Sequence, residues 1–272
     1  MLLFHLHSLY LLKNMRLSIL ALLLVFAFSY SAQTTDANGL KQGYWKKKDE
    51  KTGKLVYEGE FKDDKPEGKF KYYYPNDSVQ AIMNFSEGGK VAHAKLFHPT
   101  GKIMGKGKYI SEQKDSIWLY YDELGTLLSK ENYKVGKKDG TSYVYLPEGL
   151  VAEERNFKDG LQHGEFKLYF DGKKVRGKGN YVNDKLEGKC AYFYPNGVEV
   201  ASGFYKNGAK EGPWIYKDEK GKIKEKELYK NGHKASQKEA DAYFSKNKVP
   251  GTGEKKTPDN KQGNKPVKST GK

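Results

Sequence analysis

A single cysteine, Cys190, in 272 residues rules out any disulfide within the chain. Apolar residues make up only 37% of it, and mean hydropathy is −0.84. That is lean for a compact globule and suits a thin sheet in which little of the chain lies far from water. The longest apolar run, Leu17 to Phe28, covers 12 residues, short of the roughly 20 that a membrane-spanning helix needs. Chemistry-bearing clusters are missing too. His93, His98, His163 and His233 are scattered and lie in or near expected turns, and none has an i, i+4 mate or a cysteine partner to suggest a metal site. No glycine sits in a G-x-x-x-x-G-K-[ST] context, so a phosphate-binding loop is excluded. Glu153-Glu154 reads as a solvated strand face, and Cys190 as a buried structural thiol. These absences point away from an enzyme, a cofactor and a metal.

What the sequence has is a period. Phe61, Phe85, Tyr109, Tyr133, Phe157, Tyr181, Tyr205 and Tyr229 stand 24 residues apart without exception. Gly43, Gly68, Gly140, Gly164, Gly188 and Gly212 open the same units, with Ala92 and Ser116 in the two vacant places. A fixed period of this size marks a repeat architecture in which each unit packs only on its neighbours. Within one copy, 188–212, Cys190 and Tyr192 alternate along a first strand and Pro195-Asn196-Gly197 turns the chain. A second strand follows, and then the turn Lys206-Asn207-Gly208. Pro presets φ, and Asn and Gly tolerate the positive φ of tight hairpins. The expectation is an all-β fold: an elongated antiparallel sheet of stacked hairpins, about 16 strands and ~75–80 Å long at ~4.8 Å per strand.

The stretch Tyr57-Glu58-Gly59-Glu60-Phe61, its turn, and Gly68-Lys69-Phe70 resembles the MORN repeat, whose core reads Y-x-G-x-aromatic, turn, G-x-aromatic. Gly105 to Tyr109, Gly177 to Tyr181 and Ser202 to Tyr205 match in part, and the YYPNG-like turns resemble the bacterial MORN-variant subgroup, which includes antitoxin components. Ala92, Ser116, Glu131 and Arg155 depart from the pattern. The resemblance implies a non-enzymatic module that binds proteins or lipids. An antitoxin-type protein that neutralises a partner toxin by direct binding is the alternative it implies.

Strand alternation separates two faces. Phe70 and Tyr72, Trp118 and Tyr120, Phe166 and Leu168, and Trp214 and Tyr216 share one parity, and Gly59, Gly107, Gly179 and Gly203 leave room there for rings. On the opposite parity Tyr73, Phe97, Tyr121, Tyr145, Tyr169 and Phe193 again stand 24 apart. These six are the candidate binding residues, an aromatic ladder with ~10 Å steps. Either the ladder is an exposed interaction surface, or the rings pair with neighbouring strands in a sheet that buries both faces.

The ends differ from the repeats. Residues 1–32 read as a signal peptide, with Met15-Arg16 before the apolar run and cleavage after Ser31 or Ala32; Met15 is an alternative start to Met1. A linker covers 33–40 and eight repeats cover 41–234. A short capping helix covers 235–245, begun by the capping box Ser236-Gln237-Lys238-Glu239. A lysine-rich tail, 246–272, is expected to be disordered. The net charge of +15 is carried partly by that tail. Export together with positive charge suggests an anionic envelope component, lipid or glycan, or a protein as partner. It argues against nucleic acid, and no integral membrane segment is expected after processing. The expected location is the periplasm, the outer-membrane surface or the medium.

Overall fold

The computed structural model describes residues 33–247, and these divide into two compact units after Lys173. In the first unit the strands are β1 (Thr34–Thr35), β2 (Lys41–Lys48), β3 (Leu55–Lys62), β4 (Lys65–Tyr73), β5 (Val79–Ser86), β6 (Val91–Phe97), β7 (Ile103–Ile110), β8 (Gln113–Tyr121), β9 (Leu127–Lys134), β10 (Lys137–Lys138), β11 (Gly140–Tyr145), β12 (Val151–Lys158) and β13 (Leu161–Tyr169). In the second they are β14 (Val175–Val182), β15 (Lys185–Leu186), β16 (Gly188–Phe193), β17 (Glu199–Lys206), β18 (Ala209–Lys217), β19 (Ile223–Lys230) and β20 (His233–Lys234), followed by the helix α1 (Gln237–Lys246). Within each unit the strands pair antiparallel with their neighbours in sequence, hairpin after hairpin, with β10 and β11 both on β9 and β15 and β16 both on β14. The all-β reading and the short C-terminal helix both hold. Setting aside the four two-residue pieces, sixteen strands are present among the described residues, two for each 24-residue copy.

One connection alternates with another. Most turns from a second strand to the next first strand are two residues long, with positive φ at both: Asp63 and Asp64 (51° and 61°), Asp159 and Gly160 (51° and 93°), Asn207 and Gly208 (53° and 84°). That is the type I′ geometry, whose twist matches the strands it joins and which Asn, Asp and Gly adopt at least cost. Val135 makes the same turn at φ 49°, an uncommon conformation for a β-branched residue.

The opening glycines mark a bulge. Gly68 sits at φ 66°, and between Glu58 and Glu60 the register against β4 slips by two residues. The same slip occurs at Ser116 (φ 59°), Gly164 (φ 104°) and Gly212 (φ 68°). Copy three is the exception. Ala92 stays extended, and β5 and β6 pair without a break from Ala81–Leu96 to Ser86–Val91. Its turn is correspondingly longer, Glu87-Gly88-Gly89-Lys90. The two residues that other copies hold in the bulge are held here in the loop, so the register beyond is unchanged.

The packed face is built from rings laid flat over glycine. A Cβ at Gly59 would lie 2.4 Å from the Phe70 ring, at Gly107 2.3 Å from Trp118, and at Gly203 2.4 Å from Trp214. Each ring is then held edge-on by the 24-residue aromatics. Phe70 stands between Phe61 and Phe85, 5.1 Å from each, and Trp118 stands 4.8 Å from Tyr109. Trp118 and Trp214 donate their indole N–H to the Lys108 and Phe204 carbonyls at 3.1 and 3.2 Å. A lysine closes the top. Lys114 Nζ lies 4.9, 5.1 and 5.2 Å from the Trp118, Tyr120 and Tyr133 rings, and Lys210 lies 4.3, 5.6 and 4.7 Å from Trp214, Tyr216 and Tyr229. Phe70, Trp118 and Trp214 are thereby almost wholly buried by one layer of sheet.

Two departures from the repeat come in pairs, whereas Arg155 keeps Phe166 opposite it. Where glycine is replaced by Met83 or Glu131, the facing ring is replaced by Ala94 or Ser142. Glu131 fills its own place as an ion pair with Lys138 at 2.9 Å and accepts the Tyr133 hydroxyl at 2.6 Å. Ser142, buried beside it, leaves its hydroxyl oxygen without a hydrogen-bond partner.

The helix α1 begins as expected: Ser236 caps it, and the reciprocal bonds with Glu239 are both formed. Ala240 is buried, and the Phe244 ring lies under Lys226 Nζ at 5.6 Å. Thr34–Thr35, within the segment read as a linker, pairs with β2, and the helix runs through Lys246. The segment read as a signal peptide, 1–32, and the tail from 248 lie outside the described residues.

Candidate functional site

The six ladder residues close the first strand of successive copies, five in the first unit and Phe193 in the second. Their place follows from the pleat: each is one residue beyond a position of packed-face parity, held by Tyr72, Leu96, Tyr120, Val144, Leu168 and Tyr192, so its side chain emerges on the opposite side. All six are half-buried. They are neither core rings like Trp118 nor free surface side chains, and the reason is the residue fifteen positions earlier on the adjoining strand.

That position holds Glu58, Ile82, Lys106, Lys130, Glu154 and Lys178 in turn, and the ring's engagement varies with it. Where it is Glu58 or Glu154, the ring is a tyrosine that donates its hydroxyl: Tyr73 to Glu58 at 2.6 Å, Tyr169 to Glu154 at 3.1 Å. Where it is Lys106 or Lys178, the ammonium stands over the ring, 5.5 Å from Tyr121 and 5.6 Å from Phe193. Lys130 turns instead to Tyr143, 5.9 Å away, and Tyr143 lies 6.5 Å from Tyr145 at a 35° tilt. Main-chain bonds brace the row at its edge. The Tyr74 hydroxyl donates to the Phe97 carbonyl at 2.8 Å, and His98 Nε2 lies 3.0 Å from the Tyr121 carbonyl. His98 is therefore a bonded residue rather than a solvated loop one, and His163 sits inside β13.

The ladder is most strongly charged at its start. Glu58 accepts from Tyr73 and lies 3.4 Å from both Lys46 and Lys71. The Tyr73 hydroxyl first, and then Tyr44 and the two lysines, hold its carboxyl well below the usual range, at about 2, despite partial burial. Burial, and then the Glu58 carboxylate, push the Tyr44 phenol up to about 12 and raise Tyr73 as well. A shallow cavity of about 340 Å³ opens here among Tyr44, Glu58, Glu60, Lys69 and Lys71. Glu153 and Glu154 are not a solvated pair: Glu153 binds Arg155 at 2.8 Å on the packed face, and Glu154 approaches Lys167 at 4.0 Å on the ladder face.

The arrangement can hold an extended partner by ring stacking and by lysine–anion contacts. Among the described residues, no three His, Cys, Asp or Glu side chains converge on a metal-binding point. Cys190 is buried, and burial raises its thiol pKa, the opposite of what a nucleophile needs. No helix among the described residues is long and apolar enough to cross a membrane.

Sequence reasoning found the ladder through its spacing but missed the row of lysines over the packed rings, Lys41, Lys114, Lys138 and Lys210. Each stands two residues before an opening glycine or serine, a recurrence that marks the position but not the ring its side chain covers.

Six segments match family models. The MORN repeat model matches residues 57–79, 101–116 and 178–199, and the MORN repeat variant model matches 114–134, 162–183 and 210–231. No curated protein matches the chain. Among solved structures, TarM is similar over 38% of this chain and 18% of its own, at 12% identity and a TM-score of 0.21. A mutant of S. aureus TarM in complex with Fondaparinux, alpha-GlcNAc-glycerol and UDP is similar over 39% and 20%, at 11% identity and the same score. This chain thus spans about a fifth of those proteins, and a likeness so slight carries no argument.

Proposed function

We propose that this chain is an exported, non-enzymatic repeat scaffold that binds a partner protein along its aromatic ladder. The observation that carries the reading is the ladder's double character. Tyr73, Phe97, Tyr121, Tyr145, Tyr169 and Phe193 repeat every 24 residues on the face away from the packed rings. Each is half-buried and most are set among Lys and Glu side chains, the composition of an interface in which aromatic anchors are ringed by charge. MORN repeats serve as binding and scaffold modules, and six segments of this chain match them. The excess of lysine favours a partner with an anionic surface. Export rests on the segment from Met15 to Gln33 and predicts a mature N-terminus at Ala32 or Gln33 in the envelope or medium, read by N-terminal sequencing.

The test is a crosslinking capture of partners from the protein's own cells, comparing the wild type with Tyr121, Tyr145 and Tyr169 all changed to Ser. The reading requires that the variant keep its circular dichroism spectrum and lose the captured partner. A variant that is unfolded at room temperature would mean the ladder is structural, and one that captures the same partner equally well would place binding elsewhere.

A further inference from the structure

One slot on the packed face is built like the others and holds no ring. In copy two, the rings at the 24-residue positions, Phe61 and Phe85, lie across from Pro66 and Gly68 of β4 and grip Phe70 edge-on at 5.1 Å from either side. In copy three, Phe85 and Tyr109 are both paired across from Ala92 of β6. The residue that would supply the ring there is Ala94, and its partner across the strand is Met83 in place of glycine. A cavity of about 420 Å³ remains, lined by Tyr72, Met83, Phe85, Ala92 and Tyr109, with Pro66, Lys90 and Glu112 at its rim.

We infer that this slot receives one aromatic side chain, Trp or Phe, presented by a partner polypeptide, so that the partner completes the row that the chain itself leaves open. The occupant's chemistry is indicated by the protein: the matching position holds Phe70, Trp118, Phe166 and Trp214 in four other copies, against Ser142 and Cys190 in two. The walls include two aromatic side chains, Phe85 and Tyr109, of the kind that hold Phe70 edge-on in copy two. The floor is Met83, whose thioether adapts to an inserted ring and contacts it favourably. The lid is present as well. Lys90 stands 24 residues before Lys114, which covers Trp118, and 120 before Lys210, which covers Trp214. The long Glu87–Lys90 loop, which carries the two residues other copies place in a bulge, borders the opening with Gly88 and Gly89. The inference rests on the scaffold reading for the source of the ring and locates a specificity pocket on the face opposite the ladder.

The test needs no partner. The full chain, with its methionine methyls isotopically labelled, is titrated with N-acetyl-tryptophanamide, N-acetyl-phenylalaninamide and N-acetyl-leucinamide while the Met83 methyl resonance is followed. The aromatic amides should shift it saturably, with the leucine amide at least about tenfold weaker. Ala94→Phe should abolish the shift while keeping the reporter, because Arg155 opposite Phe166 shows that a long side chain and a ring can share that pair. Should Ala94→Phe not fold, Tyr109→Leu removes one wall instead and should weaken the aromatic amides by about tenfold. No saturable shift, equal response to leucine, persistence of binding in a folded Ala94→Phe chain, or an unaltered response in Tyr109→Leu overturns the inference. The scaffold reading is judged separately, by the ladder variant, in which this slot is intact.

Discussion

Trp118 and Tyr121 stand three residues apart on β8, both aromatic, and emerge on opposite sides of one strand. Trp118 is 0% exposed. It rests on bare backbone at Gly107, with Tyr109 at its edge and Lys114 above it. Tyr121 has no glycine beneath it. It is half-buried, and its one ring contact of this kind is Lys106 at 5.5 Å. A single sheet layer therefore makes a core on one face by letting rings lie down on glycine, and a partly exposed aromatic row on the other by denying them that bed. The difference lies in the neighbour's side chain, since the residues themselves and their 24-residue spacing are of the same kind.

The comparison breaks first if the packed face is not the source of stability. Trp118→Ala should cost about 4 kcal/mol, transfer and cavity terms together. In chemical denaturation that is a large share of the stability of an ordinary domain. A loss under about 1 kcal/mol would show that one layer does not make a core.

A smaller effect isolates the glycine. Gly107→Ala adds only a methyl group, but one built 2.3 Å from the Trp118 ring, and the backbone beneath it is pinned in the sheet. The ring must lift from its seat, at about 2 kcal/mol. The same change at Gly105, where the nearest atom is 3.3 Å away on the Tyr120 ring, should cost visibly less. Equal costs at the two sites would remove the glycine bed from the account.

How much of this was legible in the sequence divides along the same line. The eight aromatics from Phe61 to Tyr229 announce the hairpin period, and the parity of Phe70, Trp118 and Trp214 announces the packed face, because backbone pleat and strand pairing are periodic in the chain itself. The lysine lids were hidden because a long flexible side chain reaches a ring several residues away, and alternation says nothing about where it folds. In copy three, Ala92 reads as a lost glycine; that two residues moved from a bulge to the Glu87–Lys90 loop becomes visible only in the pairing of β5 with β6. Half-burial of the ladder was likewise out of reach, since it depends on Glu58, Lys106, Glu154 and Lys178 acting across strands.

On the ladder face, Tyr121→Ser should cost about 1 kcal/mol, a half-buried ring and one cation contact. Thermal melting of this variant beside Trp118→Ala gives the contrast between the faces directly. Similar losses from the two would mean that both faces are core.

The smallest effect concerns what holds the ladder's first ring. The Glu58 carboxyl titrates at about 2, chiefly because it accepts the Tyr73 hydroxyl, against about 4.3 in an unfolded chain. Above the unfolded value the carboxylate is charged in both states, and the contribution of this group to stability is fully present. As pH falls from there toward 2, the unfolded chain takes up the proton first and the contribution drains away. Lys46 and Lys71 beside it are 55% and 39% exposed, so solvent screens the network and holds the whole effect to about 1 kcal/mol or less. Tyr73→Phe removes the hydroxyl and keeps the ring. In a carbon-detected titration it should bring Glu58 back toward the ordinary range while leaving the fold unchanged, and Glu58→Gln should flatten this part of the acid limb. If Glu58 titrates as low in Tyr73→Phe as in the wild type, Tyr44 and the lysines set its charge without Tyr73, and the tyrosine ring stands in the ladder free to turn toward a partner.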